Sequence, residues 1–199
     1  MKRILITAVL VLVACTATAQ NPHYFPNLAF DDNQQGNENR VQWYTNHLKA
    51  LQEPSLLQDA SSGKQAYRFL WLRSFHNPIA VRVDVNANGT SLLTVKVSNG
   101  QGGYEPGKLI KNSVIALSKD KTDSFLGHVD EVHFWNLPTR EPKTDTVGVD
   151  GAEWIIESIK DGTYKVVDRW SPEKGPVRTL GLMMLIDLAK LKLLYQDVY

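Results

Sequence analysis

The chain has 199 residues, with 22 lysines and arginines against 21 aspartates and glutamates, a formal net charge of +1. That length suits one domain with a core of its own. Charge this balanced lacks the basic excess expected of a nucleic-acid or anionic-membrane binder, and a lone cysteine excludes an intrachain disulfide.

Residues 1–19 have the pattern of an export signal. Lys2 and Arg3 open it, residues 4–14 form an apolar run too short for a stable span, and Ala17, Thr18 and Ala19 supply a small-residue cleavage site before Gln20. Removing it leaves 20 basic against 21 acidic residues, a net charge of −1. The mature protein is therefore expected outside the cytoplasm, in the periplasm, secreted, or anchored at the outer membrane. Leu12, Val13, Ala14 and Cys15 also resemble the lipobox of bacterial lipoproteins. That resemblance implies acylation at Cys15 and, with Thr16 following, the outer membrane. The alternative is that Cys15 is only a small residue near the cut. No later segment is apolar enough to cross a bilayer.

Residues 20–39 are polar with scattered aromatics and are expected to form an extended arm. Asn37 or Asn39 would then cap a helix in which Val41, Tyr44, Leu48 and Leu51 recur at helical spacing, ended by Pro54. Residues 65–75 are strand-like, with Phe69 and Trp71 on one face and Leu70 and Leu72 on the other. Two apolar faces predict a central strand covered on both sides. A hairpin follows, with Ile79, Val81, Val83 and Val85 alternating toward the same side as Leu93, Val95 and Val97. Pairing odd positions with odd ones requires the three-residue loop Ala87, Asn88, Gly89, with Gly89 left-handed in a bulged turn. The opposite face carries Arg82, Asp84, Thr94 and Lys96 and is expected to be wet.

Residues 100–107 form a glycine-rich loop, and residues 109–117 another strand. Asp120 or Thr122 would cap a middle helix with the stripe Phe125, Val129 and Val132, ending near Trp135. Residues 139–151 are a polar loop. Residues 154–159 and 164–170 make a second hairpin about Asp161 and Gly162. Residues 177–194 form an almost continuous apolar helix, expected to be buried against the sheet. The order predicts a single α+β domain over residues 40–199. Its sheet is mostly antiparallel, built from hairpins, with an N-terminal, a middle and a C-terminal helix packed on it.

Several groups carry candidate chemistry. Gly102, Gly107 and Lys108 have the spacing of a phosphate loop, but Leu109 stands where that motif needs a magnesium-binding hydroxyl, and a strand follows. A glycine turn is the better account. His128 and His133 lie five apart, diverging by roughly 140° on a helix, so they share no metal and belong to a polar face. Ser74 and His76, with Asp84 or Asp168, could form a hydrolytic set. A nucleophile also needs an oriented base and an oxyanion hole, and no elbow motif is present. Glu153 and Glu157 are paired carboxylates without defined glycosidase roles. Trp154, Arg169, Trp170 and Arg178 cluster near the second hairpin. Structurally, Asp168 would pair with an arginine and lock the C-terminal helix to the sheet. Functionally, the group with His76 would line a pocket for a ligand or partner.

Phe69 to Arg73 with Phe75 to Pro78, Gly102 to Leu109, and Asp161 to Tyr164 through Asp168 to Pro172 and Arg178 to Leu182 together resemble a group of uncharacterised exported proteins of Gram-negative bacteria. The resemblance implies a single domain in the cell envelope and no particular activity. The lead expectation is a non-enzymatic domain binding an envelope ligand or protein, without cofactor or metal. The alternatives are a small hydrolase using His76 with a carboxylate, and a structural or assembly protein lipid-anchored through Cys15.

Overall fold

The computed structural model describes residues 23–141 and 150–199. The expected export signal, Cys15 and most of the 139–151 loop lie outside the described residues. The order of elements is α1 (Gln34–Ala50), α2 (Leu56–Asp59), β1 (Gln65–Arg73), β2 (Ile79–Val85), β3 (Ser91–Ser98), β4 (Leu109–Leu117), α3 (Lys119–Glu131), β5 (Ala152–Lys160), β6 (Thr163–Trp170) and α4 (Pro176–Leu182). All six strands pair antiparallel in the order β4-β3-β2-β1-β5-β6. The fold is α+β, as the hairpin pattern predicts.

β1 is central and covered on both faces, as its two apolar stripes require. Tyr67, Phe69 and Trp71 pack with Val81, Leu93 and Trp154 beneath Phe125 of α3 and Leu180 of α4. Leu70 and Leu72 pack with Ile155 and Val166 beneath Tyr44 and Leu48 of α1. The sheet is thus the middle of three layers.

The first hairpin closes as the parity argument demands. Val85 faces Ser91, the Asn86 and Gly89 amides donate to Thr90 O and Asn86 O, and Gly89 is left-handed at φ 81°. The second turns on Asp161 and Gly162, both left-handed, with Lys160 facing Thr163.

Five expectations are corrected. Residues 24–30 are not an open arm. Tyr24, Phe25 and Phe30 are buried, and Phe25 and Phe30 meet Tyr44 edge to face, because aromatics in a polar segment still gain by burial. α1 accordingly starts earlier, capped by Asn33, whose side chain accepts from the Gln35 and Gly36 amides; Asn37 lies inside and accepts the Phe30 amide. α3 is capped by Ser118, and Thr122 points inward to Ser91. The C-terminal helix is shorter than its apolar run. α4 continues as a π-helical turn over Met183–Leu188 and stops where Lys190 turns left-handed and the Leu191 amide donates to Leu185 O. This stop sends the last residues back over the core, where Leu191 and Leu193 gain partial burial.

The fifth correction concerns the face of Arg82, Asp84, Thr94 and Lys96, which is largely covered rather than wet. Thr94 and Lys96 are buried, and the lysine donates to Gln52 O and pairs with Glu53 at 2.9 Å. Alternation marks these side chains as polar; it carries no information on whether water or a carboxylate meets them.

Candidate functional site

The α1 face of the sheet carries two buried charge networks. The first centres on Arg68, fully buried in β1. Its Nε lies 2.9 Å from Glu157 Oε2 and its Nη1 donates to Pro54 O, with Glu53 at 3.4 Å. Glu53 comes from the link after α1 and also pairs with Arg82 at 3.3 Å. The Tyr164 hydroxyl donates to Glu157 Oε1. Burial raises the Glu157 pKa, opposed by the guanidinium of Arg68.

The second network joins α1 to the β5-β6 edge of the same face. Arg40 Nη1 lies 3.0 Å from Glu153 Oε1 and 3.2 Å from Asp168 Oδ2, and the Tyr44 hydroxyl donates to the same aspartate oxygen at 3.1 Å. The second oxygens of the two carboxyls, Glu153 Oε2 and Asp168 Oδ1, are buried and have no hydrogen-bond partner among the described residues. Burial, then the neighbouring Asp168 charge, holds Glu153 well above the usual carboxylate range, and burial raises Asp168 too, against the pull of Arg40. Such a pair could in principle exchange protons with a substrate. Here Arg40 and Tyr44 engage one oxygen of each carboxyl, Glu153 Oε1 and Asp168 Oδ2. Two surface grooves, of about 530 and 450 Å³, are lined by neither carboxyl.

The five binding candidates do not form one pocket. Trp154 is fully buried, with ring centroids 5.1 Å from Phe69 and 5.5 Å from Trp71, and its Nε1 donates to Tyr199 O. Arg178 lies 5.6 Å above the Trp154 ring and donates to Pro172 O. Arg169 donates to the Pro138 and Thr139 carbonyls and pairs with Glu141. Trp170, next along the strand, faces the other side and stays partly exposed. The arginine that meets Asp168 is Arg40, so the lock holds α1 to the sheet, not the C-terminal helix.

His76 meets neither Asp84 nor Asp168 in the bonds these make. Its Nδ1 lies 2.8 Å from the Tyr199 hydroxyl and its Nε2 3.9 Å from Asp197. Asp84 pairs with Arg82. The Ser74 hydroxyl donates to Gly151 O and accepts the Gly151 amide, so its proton and one of its two lone pairs are engaged. In the glycine loop, the Gly102 and Gly103 amides donate to His76 O and Ser74 O, leaving neither for a phosphate. A Cβ on Gly102 would stand 2.5 Å from Arg73 N, so this close approach accounts for the glycine. His128 bonds to Ser124 O, and among the described residues no cluster of histidine, cysteine and carboxylates could hold a metal.

Sequence reasoning passed over Arg40, Glu53, Arg68 and His47. Arg68 had a signal: a charge inside a strand apolar on both faces must be buried, and a buried guanidinium needs carboxylates. His47 lies on the buried side of α1, its Nε2 3.1 Å from Trp43 Nε1. Burial pushes its pKa down to about 4, against a hydrogen bond to the Gly102 backbone. The fold therefore favours neutral imidazole. That contribution is complete above the unfolded value near 6.5 and is lost as pH falls from there to about 4, at most roughly 3 kcal/mol. Glu153 and Glu157, with raised values, act oppositely and contribute at low pH. Urea unfolding of His47→Gln across pH 7 to 4 should show a flatter acid limb than the parent; parallel limbs would refute this assignment.

The remaining feature is the β4 edge. No strand pairs with its outer side among the described residues. Ile110 is 60% exposed, Val114 59% and Ile115 40%, and Leu92 of the adjoining β3 is 41% exposed. The strand has no proline and one charge, Lys111. By contrast, the 138–141 segment lies along β6, where the Asp168 amide donates to Thr139 O. Among the described residues no helix is long and apolar enough to cross a membrane. No protein-family model matches the chain, and no curated protein matches it.

Proposed function

We propose that this chain is a non-enzymatic interaction domain of the cell envelope, which binds a protein partner by adding a strand to β4. The observation that carries this reading is the nine-residue edge, with its exposed Ile110, Val114 and Ile115 and an outer side that no strand among the described residues pairs. Edge strands of this kind are usually shortened, charged or covered, since they template pairing with other chains. The hydrolase reading is weaker: Ser74 is spent on Gly151, and Asp168 on Arg40 and Tyr44. The envelope location rests on the leader, and anchoring through Cys15 is compatible with strand addition.

Photo-crosslinking in a Gram-negative cell tests both parts. Benzoylphenylalanine at Ile110 or Val114, in the chain expressed with its own leader, should give a heavier adduct in the envelope fraction. The same probe at exposed Lys174 should not. Adducts absent from β4, or confined to the cytoplasm, would overturn the reading.

A further inference from the structure

We infer that the strand added to β4 is β4 of a second copy, paired antiparallel about a two-fold axis at Val114. This rests on the strand-addition reading and names its partner. Pairing of β4 with β3 slips between Val97 and Ser98: Val97 faces Lys111 but Ser98 faces Leu109, so Ile110 is an extra residue. Such a bulge interrupts regular pairing. The regular edge is therefore residues 111–117, and its centre is Val114. Self-pairing about that centre sets Val114 against Val114 of the copy, Ser113 against Ile115, Asn112 against Ala116 and Lys111 against Leu117.

The chemistry of the edge is self-complementary in this register. Its only charge, Lys111, falls at one end of the overlap. Its counterpart falls at the other end, about 20 Å away at strand rise, so like charges do not meet. Two-fold antiparallel pairing keeps each sheet face on its own side. Val114 and Leu92 share the α1 face, because Thr94 faces Val114 and Leu92 faces Ala116. The two Val114 side chains, one from each copy, would therefore meet on that face, each covered by the other. A foreign strand would need a matching apolar centre, whereas a second copy supplies one by symmetry.

Sedimentation velocity and native mass spectrometry of the mature chain should show a dimer at concentrations of about 0.1 mM or below. Val114→Lys opposes two ammonium groups at the axis and should weaken the dimer at least about tenfold. Its circular dichroism and thermal midpoint should stay near the parent's, since the site is exposed. A second variant does not depend on that substitution. With Cys15 replaced by serine, Val114→Cys should oxidise readily to a linked dimer, because facing Cα atoms of a strand pair lie within disulfide range, and Ser113→Cys should not. Preferential linkage at position 113 would overturn the register. A monomeric parent would overturn self-pairing. If β4 probes in cells then still gave adducts to another protein, only the choice of partner would have failed. If they gave none, strand addition itself would have failed.

Discussion

Replacing Arg68 by methionine is expected to lower the unfolding free energy by about 3–5 kcal/mol at pH 7, the usual cost of stranding a buried charge. Glu157 is fully buried and receives two of the guanidinium's N–H groups, while Glu53 loses one of three cations. Methionine fills much of the volume but supplies no donor, so the loss is electrostatic rather than a cavity effect. Burial already raises the Glu157 pKa against the pull of Arg68, and without Arg68 that carboxyl should take up a proton. The deficit should therefore shrink as pH falls toward 4. Replacing Glu157 by glutamine as well should recover part of it at neutral pH. Urea unfolding at pH 7 and pH 4 reads all three effects. A loss below about 1 kcal/mol at both pH values would show that water reaches the network.

Trp154→Ala should cost a similar amount, about 3–5 kcal/mol, for a different reason. The ring is fully buried between Phe69, Trp71 and α4. A Cβ on Gly181 would stand 2.6 Å from its Cζ3, so α4 approaches the sheet only because position 181 has no side chain. Gly181→Ala alone should cost about 1–3 kcal/mol through overpacking. In the Trp154→Ala background it should cost less or become favourable, since the obstructing ring is gone. Thermal unfolding of the four proteins closes the cycle. Additive losses would mean that the two positions do not share the contact. The cycle also separates Trp154 as a core residue from Trp154 as part of a ligand site, because no ligand is present.

The buried aromatics were legible in advance wherever period alone determines burial. Phe69, Trp71, Leu70 and Leu72 announced a strand with two covered faces, and the odd-numbered valines of β2 and β3 required the bulged turn at Gly89. The polar positions were not legible in the same way. Arg82, Thr94 and Lys96 have the pattern of a solvated face, but Glu53 arrives from a link that no period describes. Asp168 suggested an arginine partner nearby in sequence, and its partner sits 128 positions away on α1. An ion pair is short-ranged in space and indifferent to chain distance, so neither partner's neighbours reveal it.

The sequence by itself determined the α+β class, both hairpins and their turns, and, with its single cysteine, the lack of an intrachain disulfide. Local propensity and the alternation of apolar residues act over a few positions, and those suffice. Only the tertiary structure decided which charges are buried, that Trp154 and Arg169 are held in structural contacts, and that β4 lies at the edge of the sheet. Each of these depends on what the folded chain brings against a residue, and strand order is set by the packing of all the elements together.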